Sequence, residues 1–356
     1  MRERLERLMQ AISGKADCAV IRDDINRRYL TGMKSSAGTL VVFPEQAYLI
    51  IDFRYIEKAR EVVKHCEVIE QKDSYAQLRE LLERHHAQCI AVEARSMTLQ
   101  ELSVFEKKLE GYSFLTDDTL SAALYDLRTV KSPEEITKIR AAQELAEHAL
   151  QSLLEELHAG MTEREIALAL DFHMRRNGAE DLSFETIALT GAHTSMPHGV
   201  PDDRQVQKGD FVLMDFGAVV DGYHSDMTRT VCVGEPTGEM RSVYDIVLRA
   251  QEAAIAQARA GISGEELDRA ARDIITEAGY GEHFGHSLGH GVGMKIHEFP
   301  LASPNYGKKL ASGHVVTIEP GIYLAGKFGV RIEDFVHINE NSCENLTNFT
   351  KKLICL

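Results

Sequence analysis

Hydrophobic and polar positions along residues 1–125 alternate between helical and strand spacing. The pattern predicts helices near residues 2–13, 55–65, 75–85 and 98–109, and strands at residues 19–21, 39–43, 48–52, 67–69 and 89–92. Strands and helices that follow one another in turn are typical of an α/β domain. We therefore predict an N-terminal α/β domain over residues 1–125.

A strong helix start marks the beginning of a second domain. Ser132 is followed by Pro133 and two glutamates, which is the sequence of a helix N-cap, first helical position and first turn. We place the domain boundary just before this signal, so that the second domain spans residues 126–356.

The second domain contains an internal repeat. One helical pattern runs from Gly160 to Gly178 and another from Gly261 to Gly279, and the two copies are offset by 101 residues. Each copy opens with a Thr or Ser cap followed by Glu, follows a longer helical pattern and precedes strands. Two such units predict a pseudo-twofold α+β domain.

Each repeat carries acidic residues in a predicted hairpin. In the first, residues 211–215 and 223–233 flank the turn signal Asp221-Gly222. With that turn at the centre, Asp226 lies opposite Gly217, two residues from Asp215. Both carboxylates then project from the same face at roughly 7–8 Å or less.

In the second repeat, strands at residues 315–323 and 329–338 flank the segment 325–328, and Glu319 and Glu333 are equidistant from Gly326. These two side chains are predicted to face each other across the hairpin. Four converging carboxylates would repel by about 4 kcal/mol per pair at ~4 Å. Two divalent cations would remove that cost.

Histidines are concentrated in a Gly-rich segment, residues 281–300, which contains His283, His286, His290 and His297. Glycines there allow close approach of the backbone to a ligand, but their spacing is not that of a phosphate-binding loop. His290 with the four carboxylates forms a set suited to Mn²⁺, Co²⁺ or Fe²⁺, with Zn²⁺ a further candidate. Two ions about 3.5–4 Å apart bridge a hydroxide and polarise a carbonyl, so the set predicts metal-assisted hydrolysis.

Composition excludes several classes of function. The net charge of −15, from 40 basic and 55 acidic residues, argues against a nucleic-acid or acidic-membrane partner. The six scattered cysteines indicate a reducing compartment. Residues 1–10 form a charged amphipathic helix start without a signal-peptide apolar run, and no 18-residue apolar stretch occurs. We expect a cytoplasmic protein.

Seven short patterns occur in the second domain: Pro197-His-Gly, Met214-Asp-Phe-Gly-Ala, His224-Ser-Asp-Met-Thr-Arg-Thr, Gly289-His-Gly-Val-Gly, His297-Glu-Phe-Pro, Thr317-Ile-Glu-Pro-Gly-Ile-Tyr and Val330-Arg-Ile-Glu-Asp. Together they resemble the pita-bread metallopeptidases, and within them the proline-specific branch of Xaa-Pro dipeptidase (prolidase) and Xaa-Pro aminopeptidase (aminopeptidase P). Asn26-x-x-Tyr-Leu-Thr-Gly and Asp52-Phe-Arg-Tyr are similar to the creatinase-type N-terminal domain of this branch. The resemblance covers the whole chain and implies a creatinase-like α/β domain followed by a pita-bread catalytic domain.

The resemblance also implies roles for individual residues. Asp215 would bind one metal ion, Asp226 and Glu333 would bridge both, and His290 with Glu319 would complete the second. The glutamate at position 319 would also act as general base toward the bridging hydroxide. His198 and His297 would stabilise the tetrahedral intermediate. The expected supporting residues are His286, Tyr323 and Arg331.

The resemblance implies a proline-containing peptide as substrate and a homodimer as assembly. Three alternatives remain at this stage: a methionine aminopeptidase, which does not resemble residues 1–125; a creatinase, which works without the metal ligands; and a catalytically inactive binding module, whose relatives lose them. Dipeptidase and aminopeptidase activity both stay open. Leu301 follows the His-Glu-x-Pro pattern where some prolidases have an arginine, which weakens the strict dipeptidase interpretation.

Overall fold

The computed structural model describes residues 1–356, which divide into two compact units, Met1–Arg128 and Thr129–Leu356. Each unit has its own hydrophobic core residues, and in the second unit they form two large clusters. None of the helices combines the length and apolar character that crossing a membrane requires.

The first unit is a mixed six-stranded sheet with helices between its strands. The sheet order is β4-β3-β2-β1-β5-β6, and β1 pairs antiparallel with β2 and parallel with β5. This arrangement confirms the predicted α/β class. Its elements are α1 (Arg2–Ile12), β1 (Cys18–Ile21), α2 (Asp24–Thr31), β2 (Thr39–Val42), β3 (Ala47–Ile51), α3 (Ile56–Val62), β4 (Glu67–Glu70), α4 (Ser74–Arg84), β5 (Cys89–Val92), α5 (Leu99–Lys108), β6 (Ser113–Leu115) and α6 (Thr119–Thr129).

Three of these elements, α2, β6 and α6, are absent from the prediction. The start of α2 is capped by Asp23, whose side chain accepts the Asn26 N–H, and the helix ends at Gly32 in the left-handed conformation with φ 75°. Both caps are visible in the sequence. With only 8 residues between them, hydrophobic periodicity does not distinguish the helix from a loop.

The second unit contains two helix pairs, each packed on antiparallel strands. One core lies beneath α7 and α8, and the other beneath α9 and α10. The elements are α7 (Pro133–Glu156), α8 (Glu163–Arg176), β7 (Asp181–Leu182), β8 (Ile187–Thr190), β9 (Asp210–Phe216), β10 (Ala218–Val220), β11 (Tyr223–His224), β12 (Met227–Val233), α9 (Gly238–Gln257), α10 (Gly264–Glu277), β13 (Gly289–Gly291), β14 (Glu298–Ala302), β15 (Val315–Ile318), β16 (Gly321–Leu324), β17 (Phe328–Arg331), β18 (Asp334–Ile338) and β19 (Cys343–Asn345), with short 3₁₀ helices at Gly191–Ser195 and Gly281–His283.

The predicted repeat is present in this unit. Helices α8 and α10 both open with a capping box, in which Thr162 and Ser263 are the N-cap residues. Each N-cap also forms an antiparallel bridge to a later segment, at Gln205 and Lys309 respectively. Equivalent helix starts 101 residues apart therefore hold equivalent later segments, in keeping with a pseudo-twofold α+β arrangement.

Both hairpins have the predicted register. In the first, Asp221 and Gly222 have φ of 50° and 82°, as the predicted two-residue turn requires, and Met227 pairs with Phe216. In the second, Ile318 pairs with Asp334 in the same register as β16 with β17, so positions 319 and 333 lie opposite each other.

The strands themselves are not continuous, which corrects the prediction of uninterrupted strands at residues 223–233, 315–323 and 329–338. The first hairpin breaks at Gly217, where an added Cβ would lie 2.0 Å from the Ser225 carbonyl oxygen. The second breaks at Glu319 and Glu333, next to Pro320, which has no N–H to donate. The acidic side chains lie at or beside these breaks.

Candidate metal centre and active site

The five residues singled out in the sequence converge in the second unit. Carboxylate oxygens of Asp215, Asp226 and Glu333 lie within 4.8 Å of one another. The Nε2 atom of His290 is 3.6 Å from Asp226 Oδ2 and 3.5 Å from Glu319 Oε1. Residues from both hairpins and from the Gly-rich segment thus meet at one point, although they are up to 118 positions apart in the chain (333 − 215).

The free atoms in this group are arranged to accept cations. Asp215 Oδ2 accepts a hydrogen bond from Arg331 at 2.6 Å, while the buried Oδ1 has no donor. His290 donates Nδ1–H to the Gly291 carbonyl oxygen at 3.1 Å, which leaves the lone pair of Nε2 directed at the carboxylates. Burial lowers the pKa of His290 to about 4, so the ring is neutral, as a metal ligand must be. One imidazole and four carboxylates fit two divalent cations.

Two threonines hold the acids in place. Thr228 donates to Glu333 Oε2 at 2.6 Å, and Thr317 donates to Glu319 Oε1 at 3.1 Å while accepting the backbone N–H of His290 at 3.0 Å. Neither threonine was predicted from the sequence. Each lies two positions from an acid in the same hairpin, so strand alternation around the acids would have identified both.

Arg331 connects the acid cluster to a tyrosine and a histidine. Its guanidinium donates to Asp215 and, at 2.9 Å, to the Tyr323 hydroxyl, which lies 2.9 Å from His286 Nε2. Burial and the neighbouring Arg331 lower the pKa of His286 to about 4, so the ring is neutral. Its Nδ1–H donates to the Ser287 carbonyl oxygen at 2.8 Å, which leaves Nε2 to accept the Tyr323 proton. The predicted supporting residues therefore form one continuous chain of hydrogen bonds that ends on Asp215.

Without cations the cluster is under electrostatic strain. Burial, followed by the charges of Asp215 and Glu319, raises the pKa of Asp226 well above its ordinary value. Burial and Asp226 likewise raise the pKa of Glu333. The pKa of Glu319 is raised by burial to about 8, against the opposing charge of Arg331. Protonation of these carboxyl groups would thus offset part of the repulsion that cations would otherwise neutralise.

This strain predicts how the stability of the metal-free protein depends on pH. A carboxyl group with a raised pKa binds more protons folded than unfolded, so stability falls as the pH rises toward the folded value. Between about pH 7 and about pH 8 the histidines with lowered pKa are mostly neutral in the unfolded state as well, so they oppose the fall only weakly. We expect the melting temperature to drop by roughly 5 °C over this interval.

Calorimetry of the metal-free protein across that pH range measures the effect. Mn²⁺-loaded protein is the control, in which the fall should disappear, and Glu319→Gln should reduce the slope because it removes one titrating group. A metal-free protein whose melting temperature stays flat or rises would contradict the electrostatic description of the cluster.

A cavity of about 600 Å³ opens onto the metal centre. His198 and His297 both line it, and the His297 ring meets the His290 ring edge-on with centroids 4.3 Å apart. His283 is not among the lining residues. The apolar part of the wall, which could not be derived from the sequence, consists of Phe184, Ile187, Pro197, Ile296 and Leu301.

Comparison with known proteins matches both units. Residues 1–130 match the Creatinase/Prolidase N-terminal domain and residues 137–340 match Metallopeptidase family M24. The chain is 38% identical over 356 residues to an Xaa-Pro dipeptidase of Pyrococcus furiosus, an alignment that covers 99% of this chain and 100% of the relative.

Solved structures agree with this assignment. An Xaa-Pro dipeptidase from Bacillus anthracis has a TM-score of 0.95 and 35% identity, with 99% of both chains covered. An X-Pro aminopeptidase from Thermotoga maritima MSB8 has a TM-score of 0.94 and 37% identity, covering 99% of this chain and 100% of that one. The predicted two-domain pita-bread architecture is confirmed, and the chain belongs to metallopeptidase family M24.

Proposed function

We propose that this protein is a two-metal exopeptidase that hydrolyses the Xaa-Pro bond, either in dipeptides or at the N-terminus of longer peptides. The observation that carries the proposal is the cluster of four carboxylates and one neutral imidazole that lines a cavity and could bind divalent cations. The names of the relatives, Xaa-Pro dipeptidase and X-Pro aminopeptidase, support the choice of proline.

The ligand roles follow the grouping of the side chains. Asp215 would hold one ion, Asp226 and Glu333 would be shared by both, and His290 with Glu319 would complete the second. Mn²⁺ is our first candidate for an oxygen-rich set with one imidazole, ahead of Co²⁺, Fe²⁺ and Zn²⁺. When bound, the two ions activate a water molecule as nucleophile and polarise the scissile carbonyl.

Side chains around the cavity would transfer the proton, stabilise the oxyanion and orient Asp215. Glu319, which lines the cavity and lies 3.5 Å from His290 Nε2, would take a proton from the attacking water and return it to the leaving nitrogen. His198 and His297 line the cavity, and both would donate hydrogen bonds to the developing oxyanion. Arg331, Tyr323 and His286 hold Asp215 in a fixed orientation.

Proline has a physical rationale as the residue after the cleaved bond. The Xaa-Pro amide has no N–H, so a site that requires that donor fails on it. An apolar ring fits the wall formed by Phe184, Ile187, Ile296 and Leu301. Because the proline nitrogen of the substrate has no N–H, an apolar wall leaves no hydrogen-bond donor without an acceptor.

The test is cleavage of Ala-Pro and Ala-Pro-Ala by metal-free protein reconstituted with Mn²⁺, with Ala-Ala-Ala as matched control and products identified by mass spectrometry. Metal-dependent release of alanine from the proline peptides alone is the expected result. Cleavage of only the dipeptide would assign a dipeptidase, and cleavage of the tripeptide an aminopeptidase. Metal-independent cleavage, or none of either peptide, would overturn the proposal and favour the binding-module alternative or a different aminopeptidase specificity.

We further propose a cytoplasmic homodimer. All six cysteines are free in the structure, as a reducing compartment requires, and the dimer rests on the family resemblance. Light scattering of the purified protein tests the assembly, with a mass near 80 kDa expected from the 39.8 kDa chain (2 × 39.8 = 79.6).

A further inference from the structure

A second group of titratable residues lies outside the metal centre. Candidate ligand atoms of Glu163, His193 and Asp202 fall within 4.8 Å of one another. Glu163 has no exposed surface and His193 is 6% exposed, so solvent does not satisfy these groups. The cluster joins the start of α8 to residues 190–202, which we call the His198 segment.

The hydrogen bonds of the cluster identify it as a structural link between α8 and the His198 segment, which we call the Glu163 staple, and not as a cation site. Glu163 Oε1 accepts the Thr190 N–H at 2.8 Å, and Oε2 accepts the Asp202 N–H at 3.0 Å. His193 Nδ1 lies 2.8 Å from both oxygens. A carboxylate with three donors directed at it has no acceptor site left for a cation, and Nδ1 carries the proton in this contact.

This single carboxylate ties both ends of the His198 segment to the same point. Thr190 is the last residue of β8, and Asp202 is where the segment returns to α8. Between them, His198 lines the metal cavity. Gly199, which lies inside the segment, packs against the His193 ring of the staple. A Cβ atom added at Gly199 would lie 3.2 Å from His193 Nε2.

We propose that Glu163 is a positioning residue that, through His193 and two backbone amides, fixes the His198 segment so that His198 is held at the reacting carbonyl. Neither Glu163 nor His193 lines the cavity, so their effect passes through His198. A displacement of about 1 Å of a catalytic group costs on the order of a hundredfold in rate, so loosening the segment has a measurable cost. The inference rests on the proposed function of His198.

Glu163→Gln is the direct test, because one acceptor oxygen becomes an NH₂ that faces an N–H donor. Relative to wild type on Ala-Pro-Ala or Ala-Pro, we expect kcat to fall about tenfold while KM and bound Mn²⁺ change by less than about twofold. In a His198→Ala background the same substitution should lower kcat by less than about twofold. Hydrogen–deuterium exchange should rise in residues 190–202.

Glu165→Gln is the matched control. Glu165 belongs to the same helix start but is exposed and bonds only to Thr162, so its substitution should leave kcat and the exchange of the His198 segment unchanged. If Glu163→Gln does not fold, His193→Ala takes its place in the same cycle, with a loss of about fivefold in kcat expected.

Equal losses of kcat with and without His198, loss of bound metal, or unchanged exchange in residues 190–202 would each overturn the inference. These outcomes are distinct from failure of the proposed function, which would appear as a wild-type protein inactive on both proline peptides. In that case the exchange measurement still decides whether Glu163 holds the segment.

Discussion

Replacing Glu333 by Gln should abolish both turnover and bound metal, with kcat reduced by at least about a thousandfold. Glu333 is 1% exposed and lies against Asp226 and Asp215, where we propose that it is shared by both ions. The neutral amide removes one charge and one ligand from the pair of ions at once. The measurement is kcat on Ala-Pro or Ala-Pro-Ala together with metal content of the same sample by mass spectrometry.

Glu344→Gln provides the matched control for this experiment. Glu344 lies on β19 in the same unit and its carboxylate is half exposed beside Arg140, so the same chemical change should leave metal content and kcat unaltered. Asp226→Asn should reproduce the loss seen with Glu333→Gln. A Glu333→Gln variant that retains full metal and full turnover would remove the shared-ligand assignment.

The second large effect is expected at His297, where substitution by Ala should lower kcat by about a hundredfold without releasing metal. The imidazole lines the cavity beside His290 but makes no contact with the four carboxylates that would identify it as a ligand. Burial lowers the pKa of His297, which favours the neutral ring at neutral pH, and the one N–H of that ring would donate to the oxyanion. Steady-state kinetics and metal analysis on one preparation measure both parts of the expectation.

His283→Ala is the control for the histidine experiment, because His283 belongs to the same Gly-rich segment and is exposed but does not line the cavity. It should retain wild-type kcat. If His297→Ala instead loses metal, then His297 is a ligand. If it keeps full kcat, the oxyanion role passes to His198 alone.

Turn residues explain why so much of the site could be predicted. Asp221-Gly222 and Gly326 require backbone conformations that few other sequences adopt, so each fixes the centre of its hairpin. Once the position of the turn is known, counting outward along both strands gives the residue that lies opposite each position of the hairpin. That count alone placed Asp226 near Asp215 and Glu333 opposite Glu319, in agreement with the observed register.

The register of a single hairpin could not predict that acidic residues of the first repeat meet His290 and the acidic residues of the second. The contact of His290 with Asp226 crosses from one repeat to the other and depends on how the helix pairs pack, which no local pattern encodes. The strand breaks at Gly217 and Glu319 were also missed, because the prediction followed the hydrophobic runs on both sides and disregarded Gly217 and Pro320 as break signals. Before the structure, the five candidate ligands were grouped by their residue types and by the family resemblance, and neither gives the packing that brings them together.

The His198 segment was missed for a different reason. Its staple depends on Glu163, which in the sequence reads as an ordinary acidic residue in the first turn of a helix. Its two backbone partners, Thr190 and Asp202, carry no side-chain signal for the contact. Hydrogen bonds from a side chain to distant backbone amides leave no pattern in a single sequence, so this feature required coordinates.

The most direct test of the two-metal account is titration of Mn²⁺ into metal-free wild-type protein, with bound metal per chain and cleavage of the proline peptides measured at every point. We expect activity to appear as the sites fill and to reach its maximum at two ions per chain. Full activity in protein that holds no metal, or saturation of activity and binding at a single ion, would contradict the account.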